Sequence, residues 1–134
     1  MGCRPAGESD VTKRRSVEIE GLSHLASIPV ATRIGPLLIS SVIGSFNPGT
    51  REFPESTADQ VANIYAHTAK ILAAAGATWD DVAKMEFWAP SNSVRAEIDA
   101  IWVQHFPDAD ARPARHIHIE GTVVTASMIA YLAD

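Results

Sequence analysis

The chain has 134 residues, 46% of them hydrophobic and 20% charged, with a formal net charge of -5. That length suits one domain able to bury a core without disulfide or metal staples. An acidic balance without a basic stripe argues against nucleic acid or an anionic membrane surface as the main partner.

Residues 1–15 are polar and rich in small side chains, and we read them as a disordered tail ahead of a single domain over 16–134. They hold no apolar segment of the kind a secretory signal needs. Gly2 does not begin a myristoylation motif, because Ala6 stands where that motif needs Ser or Thr. Cys3 is the only cysteine, which excludes an internal disulfide and points to a reducing, cytoplasmic setting. No apolar run reaches the ~18 residues expected of a membrane span.

Val17-Glu18-Ile19-Glu20 alternates apolar and charged residues, the signature of a half-exposed strand, and Gly21 ends it. Val30 to Ile34 is a second strand, closed by the turn Gly35-Pro36. The run Leu37 to Ile43 suits a strand buried on both faces. Asn47-Pro48-Gly49-Thr50 marks a turn. A helix follows, with Thr57 and Gln60 spaced as a capping box and Val61, Ile64, Tyr65, Thr68, Ile71, Leu72 and Ala75 on one face. Gly76 sits where a left-handed helix-ending glycine belongs.

Thr78 to Asp81 reads as a connection with one helical turn. Val82 to Ala89 is a strand with Ala83, Met85 and Phe87 on one face and Lys84, Glu86 and Trp88 on the other. Ser91 or Asn92 caps a second helix that turns Val94, Ile98, Ile101 and Trp102 inward, and Pro107 stops it. Arg115 to Glu120 alternates again, and Val123 to Leu132 is the closing strand. Two helices can cover only one face of about six strands. The other face then calls for a second subunit.

Several phrases in this order resemble the Rid/YjgF family of reactive-intermediate deaminases. They are the strand Arg33 to Ser41, the helix from Gln60-Val61 to Leu72-Ala73-Ala74-Ala75-Gly76, the segment Trp79-Asp80-Asp81-Val82-Ala83-Lys84, and Arg112-Pro113-Ala114-Arg115. The resemblance covers roughly residues 25–133. It implies an α+β, chorismate-mutase-like fold: a mixed sheet of about six strands with two helices on one face. It also implies a homotrimer with ligand clefts between subunits, and hydrolysis of imines or enamines without metal or organic cofactor.

By the same resemblance Arg115 holds the substrate carboxylate. A guanidinium can fork onto a carboxylate with two charge-assisted hydrogen bonds, which Lys cannot copy. The chain departs from the family pattern at three positions. Met128 aligns with a water-positioning Glu, Val42 with a glycine and Ile28 with a tyrosine. With Ile117, these apolar residues suit a larger, more hydrophobic substrate. The expected activity is therefore an imine or enamine deaminase acting on a small carboxylate-bearing metabolite. The rival reading is a small-molecule-binding or protective protein of the same fold. A ribonuclease or translation-inhibitor role disagrees with the acidic balance.

Other residues invite sharper readings. His116, His118 and Glu120 share one strand face and could bind zinc, but a polar sheet face or interface accounts for them and no metal is expected. Glu86 and Asp99 are acidic candidates for activating water, with salt bridging as the simpler role. His24 and His67 are read as exposed or polar and outside the chemistry. Ser40 and Ser41 lack a nucleophile elbow. Trp79, Trp88 and Trp102 are core or interface anchors, and Cys3 has no base nearby.

Overall fold

The computed structural model describes residues 13–132. The elements run β1 (Arg15–Val17), β2 (Ala31–Ile34), β3 (Leu37–Ser40), α1 (Thr57–Ala75), a 3-10 turn (Trp79–Asp81), β4 (Val82–Ala89), α2 (Val94–His105), β5 (Ala114–Ile119) and β6 (Thr125–Tyr131). The strands form one six-stranded sheet in the order β1-β2-β3-β6-β4-β5. Among the described strands, only β4 and β5 pair in parallel, with α2 as their crossover. The remaining neighbours are antiparallel. The expected mixed α+β sheet with two helices is present. Most of the tail expected over 1–15 lies outside the described residues, and its last residue, Arg15, opens β1.

α1 forms where its apolar stripe predicts, burying Val61, Ile64, Tyr65, Thr68, Ile71, Leu72 and Ala75. Its start differs from the expected capping box. Ser56, not Thr57, is the N-cap, and its hydroxyl accepts from the Asp59 N–H at 3.1 Å. Gln60 instead points into the core. Its Oε1 accepts from the Val124 N–H at 2.9 Å and its Nε2 donates to the Pro54 carbonyl at 2.8 Å. At the other end Gly76 takes the left-handed conformation (φ 78) and its N–H reaches the Ala73 and Leu72 carbonyls. No basic residue lies in the last turn. The cation comes from β2, where Arg33 Nη1 donates to the Ala75 carbonyl at 2.7 Å.

Both helices pack on the face that carries Leu38, Met85, Phe87, Ala126, Met128 and Ala130. Among the described residues, nothing forms a second layer on the opposite face. Ile34, Ile39, Ile129 and Tyr131 are 38% to 59% exposed there. The run Leu37 to Ile43 therefore corrects its sequence reading. Strand β3 ends at Ser40, only Leu38 and Ser40 of it are buried, and Ile43 rejoins the sheet by a single bridge to Ala126.

The first predicted strand is shifted as well. Ladder pairing covers Arg15–Val17, while Glu18 to Glu20 leave it. β4 holds one surplus residue, because Val82 faces Ala130 while Lys84 faces Ile129. The bulge turns Val82 inward and leaves Ala83 exposed, so the expected inward row begins at Met85. α2 buries Val94, Ile98 and Trp102 as expected, but its N-cap is Ser93 rather than Ser91 or Asn92. Its last turn is closed from outside the helix, where Arg112 Nε donates to the Phe106 carbonyl at 2.8 Å.

Candidate functional site

Arg115 enters the sheet as the second residue of β5, an edge strand whose register places it beside Met85. Alternation along β5 puts Arg115 and buried Ile117 on the helix-covered face. The guanidinium lies over the Trp102 ring, 4.8 Å from its centroid. Its Nη1 sits 2.6 Å from Asp99 Oδ1, also on α2. That contact is an ion pair without an aligned hydrogen bond, and buried Nη1 keeps unused donor capacity. Asp99 is 54% exposed and Arg115 23%, so the pair sits at the rim rather than in the core. Trp102 was expected as a core or interface anchor rather than a stacking platform, and its place three residues after Asp99 on one helix face was the available clue.

The neighbourhood is aromatic. Tyr65 Oη donates to the Ile98 carbonyl at 3.0 Å, and burial pushes its phenol well above the usual range despite nearby Arg115. A cleft of about 550 Å³ opens beside this cluster, lined by Trp79, His105, Phe106, Arg112 and Pro113 among others. Trp79 and His105 stack there at 4.1 Å between centroids. Burial lowers the His105 pKa. The cleft is adjacent to Arg115 in sequence, but Arg115 does not line it.

The family model described as Endoribonuclease L-PSP matches residues 27–124. The chain belongs to that family, also called Rid/YjgF. No curated protein matches its sequence. Among solved structures, RidA from the Antarctic bacterium Psychrobacter sp. PAMC 21119 is similar, with 22% identity and a TM-score of 0.78 over 88% of this chain and 99% of that one. YyfA of Yersinia pestis, described as a Rid-family protein of unknown function, gives 20% identity and 0.79 over 90% and 100%. A candidate endoribonuclease from Thermotoga maritima gives 20% and 0.80 over 90% and 98%. These likenesses establish the fold.

The Rid/YjgF fold places the remaining site candidates as follows. Met128 is 1% exposed and faces Met85, so Met128, Met85 and Arg115 form one row across β6, β4 and β5. The Met128 N–H donates to Ser40 Oγ at 2.8 Å, giving that serine a structural duty. Ile117 is buried one pleat beyond Arg115. Val42 and Ile28 are 46% and 45% exposed and lie beyond β3 and before β2. β3 and β5 are three strand steps apart, roughly 14 Å at ~4.8 Å per step. One protomer thus gathers Arg115, Met128 and Ile117, but not Val42 and Ile28.

The histidines divide differently from their sequence reading. His67, expected on a polar surface, is 1% exposed. Its Nδ1 donates to the Gly44 carbonyl at 2.9 Å, while Nε2 is buried without a partner. Burial lowers its pKa. His116 and His118 point to the open face, away from Arg115, as alternation requires. Glu120 lies outside β5 and does not complete their row. Glu86 does, with Oε2 at 2.7 Å from His118 Nε2. That hydrogen bond is the main reason the Glu86 carboxyl is held below its usual pKa. Glu86 and Asp99 thus both take the ion-pairing role expected as their simpler reading. No helix among the described residues is long and apolar enough to cross a membrane.

Proposed function

We propose that the protein is a deaminase-type hydrolase acting on the C=N bond of a small, carboxylate-bearing imine or enamine. The observation that carries this reading is Arg115, a rim guanidinium fixed on Trp102 with a buried Nη1 that lacks an aligned acceptor. A substrate carboxylate can take that donor and displace the exposed Asp99 carboxylate. Water then adds to the imine carbon, protons move from oxygen to nitrogen, and the C–N bond breaks. Ammonia leaves and a 2-oxo acid remains. Asp99 is the carboxylate nearest to Arg115 and the residue to test for handling those protons. No cofactor is called for.

The open sheet face with Ile34, Ile39, Ile129 and Tyr131 supports assembly with further copies of the chain as a homotrimer. In such a trimer Val42 and Ile28 reach a ligand from a neighbouring subunit, across an inter-subunit cleft. One observation favours a binding role without turnover: Met128, aligned with the family's water-positioning Glu, is a buried thioether that cannot move a proton.

The test is ammonia release from imines generated in situ by an amino-acid oxidase, paired with calorimetric binding of a 2-oxo acid. Release that disappears in Arg115→Ala supports the hydrolase. Binding without release, lost in the same variant, supports the binding role. An Arg115→Ala protein that matches the native one in both assays would refute the site.

A further inference from the structure

The open sheet face carries a second cluster that the proposed chemistry does not use. We infer that Glu86, His116 and His118 form a binding site for a divalent transition metal ion of the zinc class. One potential ligand atom from each residue lies within 4.8 Å of the other two. The parallel register creates this meeting. Glu86 on β4 stands directly opposite His116 on β5, and His118 follows two residues later on the same face.

The site is also partly preorganised. His118 stacks on Trp88 at 5.0 Å and 12°, and on His116 at 4.0 Å and 24°. Pinned between two flat rings, His118 aims Nε2 at Glu86 Oε2. Ligands of a tetrahedral ion at ~2.0–2.2 Å stand roughly 3.4 Å apart. Glu86 and His118 must open slightly from 2.7 Å, and His116 must close by a side-chain rotation. Two imidazoles and one carboxylate are donors suited to Zn2+, Co2+ and Ni2+ rather than Mg2+ or Ca2+. Three protein ligands leave a fourth position for water or another donor.

A simple His118–Glu86 ion pair stacked on Trp88 accounts for two of the residues and gives His116 only a stacking role beside His118. The metal site gives all three a role. It rests on the opposite sheet face from Arg115, the face proposed above for assembly with further copies, and does not depend on the chemistry at Arg115.

The experiment is equilibrium dialysis of the full chain against Zn2+ alone, with visible absorption of the Co2+ form as a second readout. The expected result is one saturable ion per chain and the d–d bands of four- or five-coordinate Co2+. His118→Ala and Glu86→Gln should each weaken binding at least ~10-fold. His116→Ala should do the same, and its exposed position makes loss of the fold an unsuitable explanation. Cys3→Ser and His24→Ala should bind as the native chain does. Absence of saturable Zn2+ binding overturns the proposal. So does binding that survives His116→Ala or moves with Cys3→Ser.

Discussion

Replacing Gln60 tests whether one buried amide holds α1 to the beginning of β6. Its side chain is 4% exposed and satisfies the N–H of Val124, itself fully buried, together with the Pro54 carbonyl. Gln60→Met keeps much of the volume and removes both hydrogen bonds. An orphaned buried N–H costs ~1–3 kcal/mol and the second bond adds ~0.5–1.5. Methionine and glutamine lose similar rotamer freedom on burial, so that term nearly cancels. The expected loss is about 2–3 kcal/mol. For a domain of this size that corresponds to a melting temperature lower by roughly 6–12 °C. Urea and thermal denaturation at one fixed protein concentration measure it, and Gln60→Ala should lose more through the cavity it leaves. A Gln60→Met protein within ~0.5 kcal/mol of the native one would show that water or a backbone shift satisfies Val124, and the reasoning fails.

Two further predictions concern charge. Burial lowers the His67 pKa below its ordinary 6.5, so the unfolded chain binds the proton more readily. The resulting stability is complete above about pH 6.5 and declines as pH falls through the lowered value. His105 acts in the same direction, and Glu86 adds a separate loss below its ordinary 4.5. The urea midpoint should therefore drop between about pH 7.5 and 5.5, and His67→Gln should drop less; equal slopes would remove His67 from the account. Asp99→Asn takes away the charged competitor for Arg115. Because the pair is partly exposed, the change is ~0.2–1 kcal/mol, or a roughly 1.4- to 5-fold tighter 2-oxo acid complex by calorimetry. Weaker binding would mean that Asp99 helps hold the ligand.

Local patterns made most of the fold legible. The stripe from Val61 to Ala75, the stop at Gly76 and the alternation of β5 each act over a few residues. What escaped depended on residues far apart in sequence. Gln60 looked like a capping residue because its partner Val124 lies 64 positions away. His67 looked polar, yet Gly44 supplies a carbonyl that makes its burial tolerable. The bulge at Ala83 cannot be seen without knowing that β6 lies alongside. At the site, alternation was enough to separate Arg115 from His116 and His118. It could not show that Glu86, rather than Glu120, stands beside the histidines, because that follows from the parallel register of β4 and β5.

The last of the described strands in chain order, β6, lies between β3 and β4. During synthesis β1 to β3 and β4 to β5 emerge as separate half-sheets, each with an unpaired edge waiting for the same partner. Hydrogen bonding across the middle of the sheet begins only when residues near 125–131 leave the ribosome. A chain cut before Thr125 is then not a shortened domain but one polypeptide carrying two unjoined half-sheets with sticky margins. Premature termination or proteolysis at this end should yield aggregates and clearance by quality control, whereas loss of β1 removes only an outer strand.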